Sequence, residues 1–351
     1  MSFLNDAEEG IFIIHENSEW IPPFEDAFKR AHQPFHQWIL TEGRIDLDRE
    51  PPKGIFWSRL SASAPSRGHG LSKEYGRTVL AWLESYGRKV INGSDVLEFE
   101  VSKARQQLTL ARAGFRVPRT QLAFSLLDAL KAADSFGFPL IYKHNQGGKG
   151  IGVQLFRERD ELEEYLLSNS YEDPVDGVAI IQEYVESAEP FITRLEFIGG
   201  KFHYAVRVDT SQGSFELCPA DACNVDDVAE RDTDFLRADM GINLTGFAPS
   251  ACEADVPALA GAACEASDGV FTLREDINAN TPFVAKLEEF LQKHHIDVAG
   301  IEFIETPEGD VVIYDINTNT NYNSFVEEKA HVRGADAIVA YLQREYNSQE
   351  K

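Results

Sequence analysis

The chain has 351 residues, enough for two or three domains with a sizeable core, and carries 33 lysines and arginines against 58 aspartates and glutamates, a formal charge of −25. So acidic a chain, with no basic stripe, argues against a nucleic-acid partner and must gather its few cations, or a metal, at one place if it binds a polyphosphate. No apolar run approaches the roughly 20 residues that span a bilayer, and four cysteines in this length suit a reducing cytoplasm better than a disulfide scaffold.

The opening MSFLNDAEEG carries acids and no apolar core, which predicts no signal peptide. Strands are expected at 9–15 (GIFIIH), 38–40 and 54–60 (GIFWSRL), with helices at 23–32 and 72–86, and KVINGS at 89–94 closes a β–α–β pattern. Strands alternating with helices predict a small parallel-sheet domain. A helix follows at 102–113, with Ser102 as its N-cap and Gly114 as its stop. Alternation resumes from 121 to 185: helix at 126–136, extended chain at 140–143, helix at 160–167 and a buried strand at 178–185 (VAIIQEYV). Two strands, 191–197 and 201–208, flank the Gly199-Gly200 turn.

Residues 221–278 are acidic, alanine-rich and poorly periodic, an ordered insertion or a mobile lid. Cys218 and Cys223, four residues apart, invite zinc, but Cys252 and Cys264 lack pair spacing and His294 and His295 lie far off, so plain thiols are expected. An amphipathic helix at 281–295 precedes a hairpin, AGIEFIE and VVIYDIN around a Thr306-Pro307-Glu308-Gly309 turn.

The stretch IYKHNQGGKGIGV, residues 141–153, is the most informative. A hydrophobic run delivers Lys143, a loop with Gly147, Gly148, Lys149 and Gly150 follows, and residues 151–156 return to a strand. Glycines let backbone N–H groups approach an anion and lysines supply charge. Neither the G-x-x-x-x-G-K-[ST] loop nor the G-x-G-x-x-G fingerprint fits this spacing. Taken alone, the segment is equally an ordinary hairpin turn.

In the acidic hairpin, period-two alternation puts Asp315 and Asn317 on one face. Centring the turn on Pro307-Glu308 pairs Glu302 with Ile313 and puts Glu302 on the face of Asp315. Two carboxylates and an amide oxygen suit a hard cation such as Mg²⁺; the alternative is a strand with one solvated face. In the run NTNTNYN, Asn319, Asn321 and Asn323 either make turn hydrogen bonds or line a polar pocket. Arg59 and the SRGHG loop with Arg67 and His69 are candidate substrate contacts, or a solvated loop.

The order of these elements, from residues 54 to 317, resembles the ATP-grasp superfamily and within it the ribosomal-protein glutamate ligase (RimK-like) branch of carboxylate–amine ligases. SKARQQLTLARAGFRVP at 102–118 resembles the family's helix that begins with an ATP-contacting lysine, here Lys103. Lys143 takes the place of the second lysine, and GGKGIGV resembles the glycine-rich flap. IIQEYVESAE resembles the adenine hinge, with Gln182, Glu183, Tyr184 and Val185 beside the base and Glu189 on the ribose. Glu302, Asp315 and Asn317 match the metal-binding acid, acid and asparagine, and Arg194 and Arg207 fall where the family carries basic residues for phosphates or substrate.

The resemblance implies an α/β (α+β) chain with an ATP-grasp fold behind a Rossmann-like pre-ATP-grasp domain. The expected divisions are 1–98, 99–185 with the flap, and 186–351 with the metal hairpin and the insertion. It implies a cytoplasmic, ADP-forming ligase that joins a small-molecule or peptide carboxylate to an amine through an acyl phosphate, using ATP and one or two Mg²⁺ ions, with Mn²⁺ as the alternative. Neither membrane nor nucleic acid takes part, and a homo-oligomer is compatible. An ATP-binding module or phosphotransferase without amide ligation is the rival class. The family's A-S-P-G after the metal-binding asparagine is replaced by Thr318-Asn319-Thr320-Asn321, and its basic loop is missing from 214–223. Both changes surround the acceptor site, so substrate identity does not carry over.

Overall fold

A computed structural model describes residues 9–148, 152–211 and 270–349. The first unit comprises β1 (Glu9–His15), α1 (Pro22–Arg30), β2 (His36–Ile39), β3 (Lys53–Arg59), α2 (Ser72–Ser85) and β4 (Lys89–Ile91). Its strands pair in parallel in the order β2-β1-β3-β4. β1 reads as an unbroken apolar run because both of its faces are covered. Ile11 and Ile13 pack with Phe24 and Phe28 of α1, while Phe12 and Ile14 pack with Val79 and Leu83 of α2.

Two helices, α3 (Ser94–Glu100) and α4 (Lys103–Arg112), lead to a second sheet. Ser102 caps α4 by accepting from the Arg105 amide, and Gly114 ends it at φ +79°. The sheet contains β5 (Thr120–Ala123), β6 (Leu140–His144), β7 (Gln154–Phe156) and β8 (Ala179–Glu183), with α5 (Leu126–Phe136) and α6 (Arg159–Leu167) between them. The order is β5-β8-β6-β7, antiparallel throughout. The two helices cover one face, burying Leu140, Tyr142 and Ile181. Alternation turns Ile141 and Lys143 to the other face.

The third sheet runs β11-β10-β9-β12-β13, again antiparallel, from β9 (Phe191–Ile198), β10 (Lys201–Asp209), β11 (Phe271–Leu273), β12 (Val298–Glu305) and β13 (Val311–Asn317). Helix α7 (Pro282–Lys293) lays Val284, Leu287 and Leu291 on Leu195, Phe197, Ile301 and Phe303. After α8 (Ser324–Ala330), the last helix α9 (Gly334–Gln349) returns to the first sheet, where Ile338, Val339 and Leu342 join the core of Ile11, Ile13 and Trp57.

Most expected elements stand within a residue or two of their predicted limits. α3, α8 and α9 were not foreseen. The poorly periodic span ends in order: residues 271–273 form β11 on the edge of β10, whereas 221–269 and all four cysteines lie outside the described residues. A three-residue edge strand carries too little pattern for its period to be read.

Candidate active site

The open faces of the second and third sheets enclose a cleft of about 450 Å³, with the loops after β1 and β3 at one end. Lys103 opens α4 and Lys143 stands on β6, and both are buried. Asn145 welds their backbones together. Its carbonyl accepts from the Lys103 amide (3.1 Å), its Oδ1 accepts from the Ala104 amide (2.8 Å), and its Nδ2 donates to Asp176 (2.6 Å). Lys103 pairs with Asp315. Burial alone pulls Lys103 downward, but the Asp315 charge outweighs it and holds the ammonium above its ordinary range. Lys143 has no such contact among the described residues: burial, then the charge of Lys103, push it down to about 7.

The hairpin register differs from the expected one. Glu302 stands opposite Asp315, not Ile313, because a bulge between Glu302 and Phe303 leaves Tyr314 unpaired. The extra residue sharpens the convergence, placing the two carboxylates directly across the ladder. Asn317 Nδ2 donates to both, at 3.4 Å each, and Tyr314 Oη donates to Glu302 (2.8 Å). Burial pushes Glu302 up, against the pull of Arg194. For Asp315 burial acts in the same sense but is outweighed by Lys103 and Lys143, which hold it low.

Gln106 ties these strands to α4. Its amide takes the Ile316 backbone on both sides, accepting from N–H at 3.2 Å and donating to C=O at 2.9 Å. Lys103, Gln106, Gln107 and Leu110, at i, i+3, i+4 and i+7, form the buried stripe of α4. Three polar residues on a buried stripe were a readable signal that sequence analysis passed over.

Arg194 enters the cleft, held on three sides: Nε donates to Glu196 (2.6 Å), Nη1 to Glu302 (2.7 Å) and Nη2 to Thr320 Oγ1 (2.6 Å). Gly300 makes room, since a Cβ there would lie 2.4 Å from Arg194 Nη2. Arg207 does not join it. It is paired with Thr193 on the ladder and therefore lies on the opposite face, with Phe191 4.0 Å beneath its guanidinium and Glu189 3.7 Å away. Neither Arg207 nor Glu189 lines the cleft.

Gln182, Glu183, Tyr184 and Val185 form one wall, and Gly147 and Gly148 another. Gln182 is anchored on Thr120 Oγ1 (2.9 Å). Lys149 and Gly150 lie outside the described residues. Gly148 abuts Ser63, where a Cβ would meet the serine Cβ at 3.0 Å. Glu100, unforeseen and buried, links the walls by accepting from the Ala62 amide (3.1 Å) and from both the amide (2.7 Å) and hydroxyl (2.8 Å) of Thr318. Arg67 and His69 do not line the cleft but meet buried Glu16 behind Ser63, with His69 Nδ1 2.9 Å from its carboxylate. Asn319 and Asn321 line the cleft, whereas Asn323 caps α8 by accepting from the Val326 amide at 3.0 Å.

Residues 101–225 match the RimK-like ATP-grasp domain. A probable alpha-L-glutamate ligase 2 of Shewanella frigidimarina is 30% identical over 142 residues, 40% of this chain and 47% of that protein. The carbamoyl phosphate synthase large chain of Pyrococcus furiosus is 27% identical over 183 residues, 51% of this chain and 16% of that protein. This chain thus spans half or less of both relatives. The solved RimK domain ATP-grasp protein of Sphaerobacter thermophilus superposes at a TM-score of 0.57 over 95% of this chain and 99% of that one, at 14% identity. The chain has the ATP-grasp fold. Within that fold, residues 101–225 are similar to the RimK-like ATP-grasp domain, the branch that the lysine, flap and hinge pattern resembles.

Proposed function

We propose that the chain is an ATP-dependent, ADP-forming carboxylate–amine ligase. The observation that carries this reading is the convergence of Lys103 and Lys143 with Glu302, Asp315 and Asn317 in one buried cleft, between a glycine loop and the Gln182–Val185 wall. Lys103 and Lys143 would neutralise nucleotide phosphates, the Gly147 and Gly148 amides would cradle them, and residues 182–185 would border the base. Transfer of the γ-phosphoryl group to a substrate carboxylate oxygen releases ADP. The amine then adds to the acyl carbon and phosphate leaves with its C–O bond electrons. This activation is needed because oxide is a poor leaving group.

The donor set suits a hard cation. It is all oxygen, with two facing carboxylates and an amide that presents Oδ1 after a half-turn. No cluster of three histidine, cysteine, aspartate or glutamate residues occurs among the described residues; phosphate and water would complete the coordination. Glu302, Asp315 and Asn317 would hold one or two Mg²⁺ ions, with Mn²⁺ the alternative. Bound there, the metal supplies charge neutralisation on phosphate oxygens. Arg194 fixes Glu302 in place and so acts as a positioning residue.

The substrates would be small-molecule or peptide carboxylates and amines, and the setting cytoplasmic. No helix among the described residues is long and apolar enough to cross a membrane. ADP release that depends on an added carboxylate, with hydroxylamine trapping the acyl phosphate as a hydroxamate, tests this reading. ATP binding without hydroxamate from any carboxylate in a broad panel would favour a binding module instead.

A further inference from the structure

The run from Asn317 to Asn321 alternates asparagine and threonine, and the structure separates the two sets. Thr318 and Thr320 are buried and face inward, to Glu100 and to the Arg194–Glu196 pair. Asn319 and Asn321 face the cleft and Arg59. Arg59 is fully buried, stacked 4.5 Å from Phe24 and 5.0 Å from Trp57. Its guanidinium meets neutral oxygens: Nε donates to Asn319 Oδ1 (3.0 Å), Nη1 to Trp20 O (3.2 Å), and Nη2 to Thr320 O (2.9 Å) and Asn321 Oδ1 (2.8 Å). The carboxylate of this region, Glu16, is taken by Arg67 and His69.

A guanidinium has only donors, so each amide must turn its oxygen toward Arg59 and its NH₂ group away. A cation on the oxygen also polarises the amide and strengthens its N–H groups as donors. No residue among those described accepts from Asn319 or Asn321 Nδ2. The result is two polarised NH₂ groups on a cleft wall, two and four residues beyond Asn317, backed by a buried positive charge that makes no ion pair with a carboxylate of the described residues. Such a wall suits an oxyanion and disfavours a cation.

We infer that Asn319 and Asn321, oriented by Arg59, form a subsite for the free, non-reacting carboxylate of an amino-acid substrate. The inference rests on the ligase reading for the identity of the cleft and assigns the substrate class within it. Asn319 and Asn321 are specificity-determining contacts, and Arg59 is the positioning residue behind them.

The test uses the full chain with Mg²⁺ and a non-hydrolysable ATP analogue, titrated calorimetrically with each of the twenty amino acids and then with the α-carboxamide of whichever binds. The native protein should bind at least one amino acid and bind its carboxamide at least tenfold more weakly. Asn319→Asp and Asn321→Asp put an acceptor where the donor was and give Arg59 a charged partner. The melting temperature should therefore hold or rise and the analogue affinity stay within twofold, while the amino acid binds at least tenfold more weakly and discrimination against the carboxamide is lost. Arg59→Lys, which cannot address both amides at once, should also narrow the acid-to-amide ratio. A native protein that binds no amino acid overturns the subsite, as does an acid-to-amide ratio unchanged in both aspartate variants. The ligase reading fails separately, if the native protein with ATP yields no carboxylate-dependent ADP or hydroxamate.

Discussion

Lys143→Met should make the nucleotide-free protein more stable and its nucleotide affinity worse. Lys143 is buried beside Lys103 and is depressed from 10.5 to about 7. An unfolded lysine keeps its proton up to about pH 10.4, so between about 7 and 10 the unfolded state binds more protons and stability rises with pH. Below pH 7 the full cost of the buried charge is present. At about 1.4 kcal/mol per pH unit, a fall from 10.5 to about 7 sets a ceiling of roughly 5 kcal/mol. Side-chain relaxation and water entry reduce this, and methionine should recover about 1–3 kcal/mol at pH 6, less as the pH approaches 10. Thermal melts at pH 6 and 9 read the first effect. Calorimetry with a non-hydrolysable ATP analogue should show at least tenfold weaker binding, since a desolvated phosphate loses its cation. A lysine serving only the fold would show the reverse pattern. Loss of stability with unchanged analogue affinity would refute the assignment.

Asp315→Ala and Asn317→Ala should each abolish the hydroxamate formed by the native protein while shifting analogue affinity less than turnover, because a metal on the transferring phosphoryl group acts mainly in the transition state; normal hydroxamate from Asp315→Ala would leave the hairpin a mere edge. Nucleotide affinity should rise at least tenfold with free Mg²⁺, read by calorimetry, with the saturation point separating one ion from two; an affinity independent of magnesium would refute the metal assignment. Glu327 is raised from 4.5 to about 7, chiefly by burial. The native state therefore keeps a proton that the unfolded chain has released between pH 4.5 and 7, and stability falls across that window. Glu327→Gln keeps an acceptor for the Gly334 amide and should stabilise by about 1–3 kcal/mol at pH 8 with little effect at pH 4; equal shifts at both pH values would refute it.

What the sequence disclosed, and what it withheld, divide along local and nonlocal lines. Ser102 and Gly114 bound a helix through local capping, and the Gly199-Gly200 turn joins two strands, so both were legible. The hairpin face was legible, but its register was not. The bulge at Tyr314 adds one residue that no composition rule marks, and it moved the partner of Glu302 from Ile313 to Asp315. Arg194 and Arg207 illustrate the same limit. Both are basic and both sit on central strands, yet the ladder opposes Arg207 to Thr193 and sends it to the far face. The welds made by Asn145, Gln106 and Glu100 join residues distant in sequence, and a lone polar residue does not announce its partner. The asparagine run posed a choice between loop and pocket. Only the arrival of Arg59, some 260 residues away, makes two of its members a cleft wall.

Charge balance links the composition to the site. The described side chains that line the cleft include four cations, Lys103, Lys143, Arg157 and Arg194, and four anions, Glu100, Glu183, Glu302 and Asp315. Their formal charges cancel, partly by direct contact as in Lys103–Asp315 and Arg194–Glu302. A cleft with no formal net charge in a chain of −25 is neither a strong anion trap nor a strong cation trap. A bare tetra-anionic nucleotide would leave the cleft far from neutral and would have to pull Lys103 from Asp315. On the ligase reading, a divalent ion at Asp315 and Glu302 would remove that conflict: it would take the carboxylates, free Lys103 for phosphate, and offset two charges of the nucleotide. A second ion, if bound, would offset the other two. Lys103 and Asp315 hold one another in place, and on this reading they would part only when nucleotide and metal enter together, which would account for the acidic hairpin and the basic pair sharing one cleft.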